Sequence, residues 1–173
     1  AENTPDAIQQ AVLRGVMVLL DKNSDPKSGD DTLVAERSYW GELIQRAIED
    51  IERYHRSFPL RRGMPREELK SRLKLSARLS NALLRSLRSS EQITEAGPLV
   101  LRAGHDIRFN PQQQALVDRL LAQFKAQPYS PPSVKDSQAL VGDEVYAALL
   151  DLGRLVQVAP EVVFSQQAYQ EMT

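Results

Sequence analysis

Apolar positions along the chain follow a helical spacing in some stretches and short β-like runs in others. From Tyr39 to Arg56 they fall at Trp40, Leu43, Ile44, Ala47, Ile48 and Ile51, the three-and-four spacing of a helix that buries one stripe. Pro111 to Ala126 repeats this with Leu116, Val117, Leu120, Leu121 and Phe124. A short helix restarts after Gly63 and Pro65 with Leu69 and Leu73, and another, Ser76 to Arg88, turns Leu79, Leu83 and Leu87 toward a core. Phe58-Pro59 ends the first long helix, because the residue before a proline is pushed out of helical backbone. The run Gln127-Pro128-Tyr129-Ser130-Pro131-Pro132 ends the second. Trp40 and Phe124 are expected as core anchors.

The β-like runs are Val16–Leu20 with Thr32–Ala35, then Gln92–Thr94, Pro98–Arg102 and Ile107–Phe109, then Leu155–Val158 with Val162–Phe164. A helix-start residue follows each group: Ser38, Asn110 before Pro111, and Ser165. Asn110 with Gln113 reads as a capping box. The pattern also recurs. Ala11-Val12-Leu13-Arg14-Gly15 resembles Ala82-Leu83-Leu84-Arg85-Ser86 and Ala148-Leu149-Leu150-Asp151-Leu152-Gly153, at spacings of 71 and 66 residues. Helices followed by a hairpin at that period describe the winged-helix variant of the helix-turn-helix, in which the third helix faces outward and the hairpin forms the wing. The expected fold is therefore α+β and helix-dominated, built of tandem winged-helix modules. Residues 1–37 would be the end of a first module, 38–109 a second, 110–164 a third, and 165–173 the start of a further helix.

Composition narrows the chemistry. With 42% hydrophobic and 26% charged residues the chain is globular, and no apolar run is long enough to span a membrane. The absence of cysteine excludes a disulfide scaffold, thiolate metal sites and a cysteine nucleophile, and fits a reducing, cytoplasmic setting. Ala1–Asp6 is polar and shows no targeting pattern, and a start at Ala1 suggests a processed or excised piece. Two dispersed histidines, His55 and His105, build no catalytic triad, so no catalytic residue and no enzymatic activity is expected. His55 is expected to pack at a helix end or to bond a terminal carbonyl there, and His105 to sit exposed on a wing. Glu67 and Glu68 are adjacent, diverge on a helix, and suit the first-turn dipole instead of acid–base work. The loop Asp21–Asp31 has a calcium-like Asp spacing, but its strand-like flanks and two lysines read as a mobile hairpin tip, so no metal is expected.

Charge is unevenly placed. The net charge is only −1, yet Arg53 to Arg88 holds eleven basic residues, nine of them Arg, against Glu67 and Glu68. The rest of the chain is correspondingly acidic. Such a block is the footprint of a polyanion-binding face, and arginine grips phosphate bidentately. At 100° per residue Arg78, Asn81, Arg85 and Arg88 share a face opposite Leu79, Leu83 and Leu87. With Arg61, Arg62, Arg66, Lys70, Arg72 and Lys74 they form the candidate RNA-binding set.

The stretch Tyr54-His55-Arg56-Ser57-Phe58-Pro59-Leu60-Arg61-Arg62-Gly63-Met64-Pro65-Arg66-Glu67-Glu68-Leu69 resembles the second winged-helix module of SelB, the selenocysteine-specific elongation factors of bacteria. Ser130-Pro131-Pro132-Ser133 with Leu149-Leu150-Asp151-Leu152-Gly153-Arg154-Leu155-Val156 is similar to that family's third module, and Leu13-Arg14-Gly15-Val16 to the wing end of its first. The resemblance implies a winged-helix arm of a translation factor that joins a tRNA-delivering GTPase body to the end that binds an mRNA hairpin. Implied partners are RNA (the mRNA hairpin or ribosomal RNA), the ribosome, and selenocysteyl-tRNA through the full-length factor, with this chain a monomer. GTP and magnesium belong to the family's GTPase. The chain has no Gly-x-x-x-x-Gly-Lys-Ser/Thr loop, so no cofactor is expected here. The family's fourth module, its principal hairpin reader, would begin after Ser165. A DNA-binding winged-helix regulator and a protein–protein scaffold are the rival readings.

Overall fold

The longest helix follows from the longest apolar stripe: α2 (Arg37–Ser57) buries Trp40, Leu43, Ala47, Ile51 and Tyr54 and leaves Glu42, Gln45, Arg46 and Glu49 exposed. The computed structural model describes residues 4–20, 32–128 and 130–172. Among these, eight helices and seven short strands make a mostly helical α+β fold. They divide into two compact units, Ala1–Arg56 with Gly63–His105 and Ser57–Arg62 with Asp106–Thr173. The loop Asp21–Asp31, read above as a hairpin tip, lies outside the described residues.

In the first unit α1 (Thr4–Leu13) leads through Gly15, at φ +73°, into the antiparallel pair β1 (Met17–Leu19) and β2 (Val34–Glu36), with Val18 opposite Ala35. The α2 helix begins at Arg37, one residue before the expected Ser38. The Arg37 N–H donates to the Val16 carbonyl at 2.8 Å and its Nε to the Gly15 carbonyl at 2.6 Å. The Ser38 hydroxyl donates to the Glu36 carboxylate instead of capping the helix.

The remainder of this unit is β3 (Met64–Pro65), α3 (Arg66–Leu73), α4 (Ala77–Ser89), β4 (Ile93–Ala96) and β5 (Leu99–Arg102). Ser76 caps α4, its hydroxyl accepting the Leu79 N–H. The α3–α4 turn passes through Lys74 in left-handed backbone, at φ 53°, whose N–H returns to the last carbonyls of α3. The sheet order is β3-β5-β4, all antiparallel. Here the sequence expectation is corrected. Ile107–Phe109 is not a strand, and the third strand is Met64–Pro65, paired with Val100 and Leu99. Pro65 has no N–H to give and is tolerated because β3 is the sheet edge.

In the second unit α5 (Pro111–Ala126), α6 (Val134–Val141), α7 (Asp143–Asp151), the hairpin β6 (Leu155–Ala159) and β7 (Val162–Ser165), and α8 (Gln166–Met172) surround one core. Phe124, Leu120, Leu149, Leu155 and Val163 lie at its centre. Leu60 and Ile107 are buried in the same core. The segment read as an extended link therefore anchors a side chain here, and Ile107 serves packing instead of a strand. The capping box is present: Asn110 Oδ1 accepts the Gln113 N–H at 2.8 Å and Gln113 Oε1 the Asn110 N–H at 3.0 Å. Ser165 accepts the Ala168 N–H at the start of α8.

Candidate nucleic-acid interface

The interface is built on α4. Its back, Ala82, Leu83, Leu84 and Leu87, is buried, and Leu79 is half-buried. Its front presents Arg78, Asn81, Arg85 and Arg88, all exposed, and the helix contains no acidic residue. Lys74 is exposed in the preceding turn.

Internal carboxylates engage part of the set. Arg66, at the start of α3, donates through Nη2 to Glu95 Oε1, and Arg88 Nη1 donates to Glu95 Oε2 at 3.2 Å. Glu95 on β4 thus draws two guanidinium groups onto the wing. Lys70 pairs with Glu67 at 3.0 Å and Arg72 with Glu68 at 2.7 Å, one turn apart on α3. Exposed pairs of this kind contribute about 0.3–0.5 kcal/mol. The Arg66–Glu95 pair is part-buried, through its carboxylate partner. Glu67 and Glu68 do lie in the first turn of α3, and they also act as ion-pair partners.

Arg61 and Arg62 are exposed residues of the second unit, with the Arg61 guanidinium 4.3 Å from the centre of the Phe58 ring. The other eight candidates lie in the first unit. Of these, the fold brings Arg78, Asn81 and Arg85 onto one helical front, with Arg88 turned toward the wing.

The base of that wing holds groups the sequence did not reveal. Arg102 donates through Nε to Glu52 at 3.0 Å and through Nη1 to Gln92, tying β5 to α2. Its N–H donates to His55 Nε2 at 3.1 Å. His55 is 8% exposed and accepts a sheet N–H, whereas a bond to a helix-end carbonyl was also open to it. His105, expected exposed, is half-buried and stacks on His55 with ring centroids 3.5 Å apart. Burial, aided by the neighbouring His105, lowers the His55 pKa to about 4, with Glu52 opposing the shift. No spacing signal could have found these pairs, since His55 and Arg102 are 47 residues apart.

Among the described residues no group of His, Asp or Glu is arranged to hold a metal ion, and no helix is long and apolar enough to cross a membrane. No curated protein matches the chain. Residues 48–101 match the family model described as elongation factor SelB, winged helix. That segment runs from the middle of α2 through α3, α4 and the three-stranded sheet, and takes in the arginine-bearing helix. Residues 48–101, most of which lie in the first compact unit, are thus similar to a SelB winged-helix domain.

Proposed function

We propose that this chain is the winged-helix arm of a selenocysteine-specific elongation factor, set between the tRNA-delivering GTPase body and the end that binds the mRNA hairpin. In this reading it catalyses nothing and needs no cofactor. Its modules 38–109 and 110–164 act as a spacer, and the front of α4 touches an RNA backbone on the message or the ribosome. One observation carries the reading: the family match falls on the module whose α4 exposes Arg78, Asn81 and Arg85 from a helix free of acidic residues. Arginine at such positions supplies bidentate donors for phosphate oxygens.

A second reading, a scaffold that meets only protein, is favoured by the carboxylate partners of Arg66, Lys70, Arg72 and Arg88. Charge reversal separates the two. Arg78→Glu with Arg85→Glu is expected to weaken association with hairpin RNA and with ribosomes by about tenfold or more. Unchanged association with both would support the scaffold. Preference for duplex DNA over hairpin RNA in direct competition would point to a DNA-binding regulator.

A further inference from the structure

Glu95 sits on the inward side of the wing. In β4 it is two residues from Ile93, so the two share a sheet face, and Ile93 is buried. A carboxylate on that face needs partners, and it has two. Its Oε1 accepts from Arg66 Nη2, and its Oε2 from Arg88 Nη1 at 3.2 Å. Separate elements bring these guanidinium groups together. Arg66 opens α3, its N–H donating at 2.9 Å to the carbonyl of Pro98 in the turn between β4 and β5. Arg88 lies in the last turn of α4, three residues beyond Arg85 on the helical front. All three residues belong to the first unit.

Each carboxylate oxygen serves a different arginine, so neither guanidinium receives a two-point contact. The donor fork of Arg66 is used at one end only, and its buried Nε has no hydrogen-bond partner among the described residues. Two guanidinium groups that converge from different elements on one small anion form the arrangement that grips a phosphate. We propose that Arg66 and Arg88 form a phosphate site for the RNA backbone, which Glu95 fills as a tethered competitor until a phosphodiester displaces it. The inference rests on the RNA-facing reading of α4 and adds a regulated contact at the wing end of the same face. A lone phosphate ion competes poorly with a carboxylate fixed beside the site. A strand already held on α4 presents its next phosphate at a far higher effective concentration.

The full chain and its variants are titrated into a labelled hairpin RNA, with anisotropy followed at several salt concentrations. Glu95→Gln keeps the side-chain shape and removes the charge. It should tighten binding by about five- to tenfold and steepen the slope of log affinity against log salt by about 0.7–0.9, the increment of one more phosphate. Adding Arg66→Gln with Arg88→Gln to that variant should abolish the gain. Glu91→Gln removes the same charge from the exposed turn before β4 and should tighten binding by less than about twofold, with the slope unchanged. Circular dichroism checks folding, and Glu95→Asp decides if Glu95→Gln unfolds. The aspartate keeps the charge but shortens the bridge by one methylene, so binding should tighten by about two- to threefold. An affinity that fails to rise in the decisive variant, a gain that survives loss of both arginines, or an equal gain from Glu91→Gln overturns the site while leaving the α4 reading intact. Absence of RNA binding by the native chain and every variant overturns the α4 reading and this inference together.

Discussion

His55 meets the sheet through Nε2, which accepts the Arg102 N–H and can do so only while that nitrogen is unprotonated. Its pKa falls from the ordinary 6.5 to about 4 in the folded chain. Between these values the unfolded chain binds the proton that the folded chain refuses. The His55 contribution is therefore complete above pH 6.5 and is lost as the pH falls through the window down to about 4. With solvent screening allowed for, its size is about 1–2 kcal/mol. Urea midpoints measured from pH 7 to pH 4 should fall more steeply for the native chain than for His55→Gln, whose amide oxygen can still accept the N–H. Parallel slopes would remove the ring from the account. At this scale the sequence announced the burial of Trp40 and Phe124, because each sits on a periodic stripe, and both are buried. It could not announce the stacking of His55 on His105, a contact between two residues that share no local pattern.

Helices were legible almost to the residue where caps or prolines mark them. Pro111 to Ala126 and the Asn110–Gln113 box appear as read. Strands were less so, since a two-residue strand has no periodicity to display. Met64–Pro65 is held by its partner β5, and Gly63 shows how close that approach is. A Cβ added there would lie 3.0 Å from the Leu101 side chain and 3.0 Å from the Val100 carbonyl oxygen. The leucine can shift, but the backbone oxygen cannot without loosening β5. Gly63→Ala should therefore destabilise the chain by about 1–3 kcal/mol. A thermal midpoint equal to that of the native chain would show that β3 absorbs the methyl group freely. Ile107–Phe109 carries strand-like residues, yet Ile107 is buried in the core of the second unit and the segment pairs with no strand.

At the scale of the whole chain, a net charge of −1 conceals a basic stretch, and carboxylates within the folded module cover part of it. The sign of that stretch and the outward face of α4 were both legible in the order of residues. That order was silent on Glu95, because Arg66 and Glu95 are 29 residues apart and meet only when the wing folds back. About four engaged phosphates predict that log affinity for RNA falls with log salt at a slope near −3. A flat dependence would leave α4 without a phosphate contact. The pairing of Met64 with Val100 also sets an order of events during synthesis. Strands β4 and β5 are neighbours in the chain and can zip as soon as both emerge, whereas β3 waits for a partner made roughly 35 residues later. At about 5–20 residues per second that delay is roughly two to seven seconds, during which α3 is tethered to an unclosed sheet edge available to chaperones.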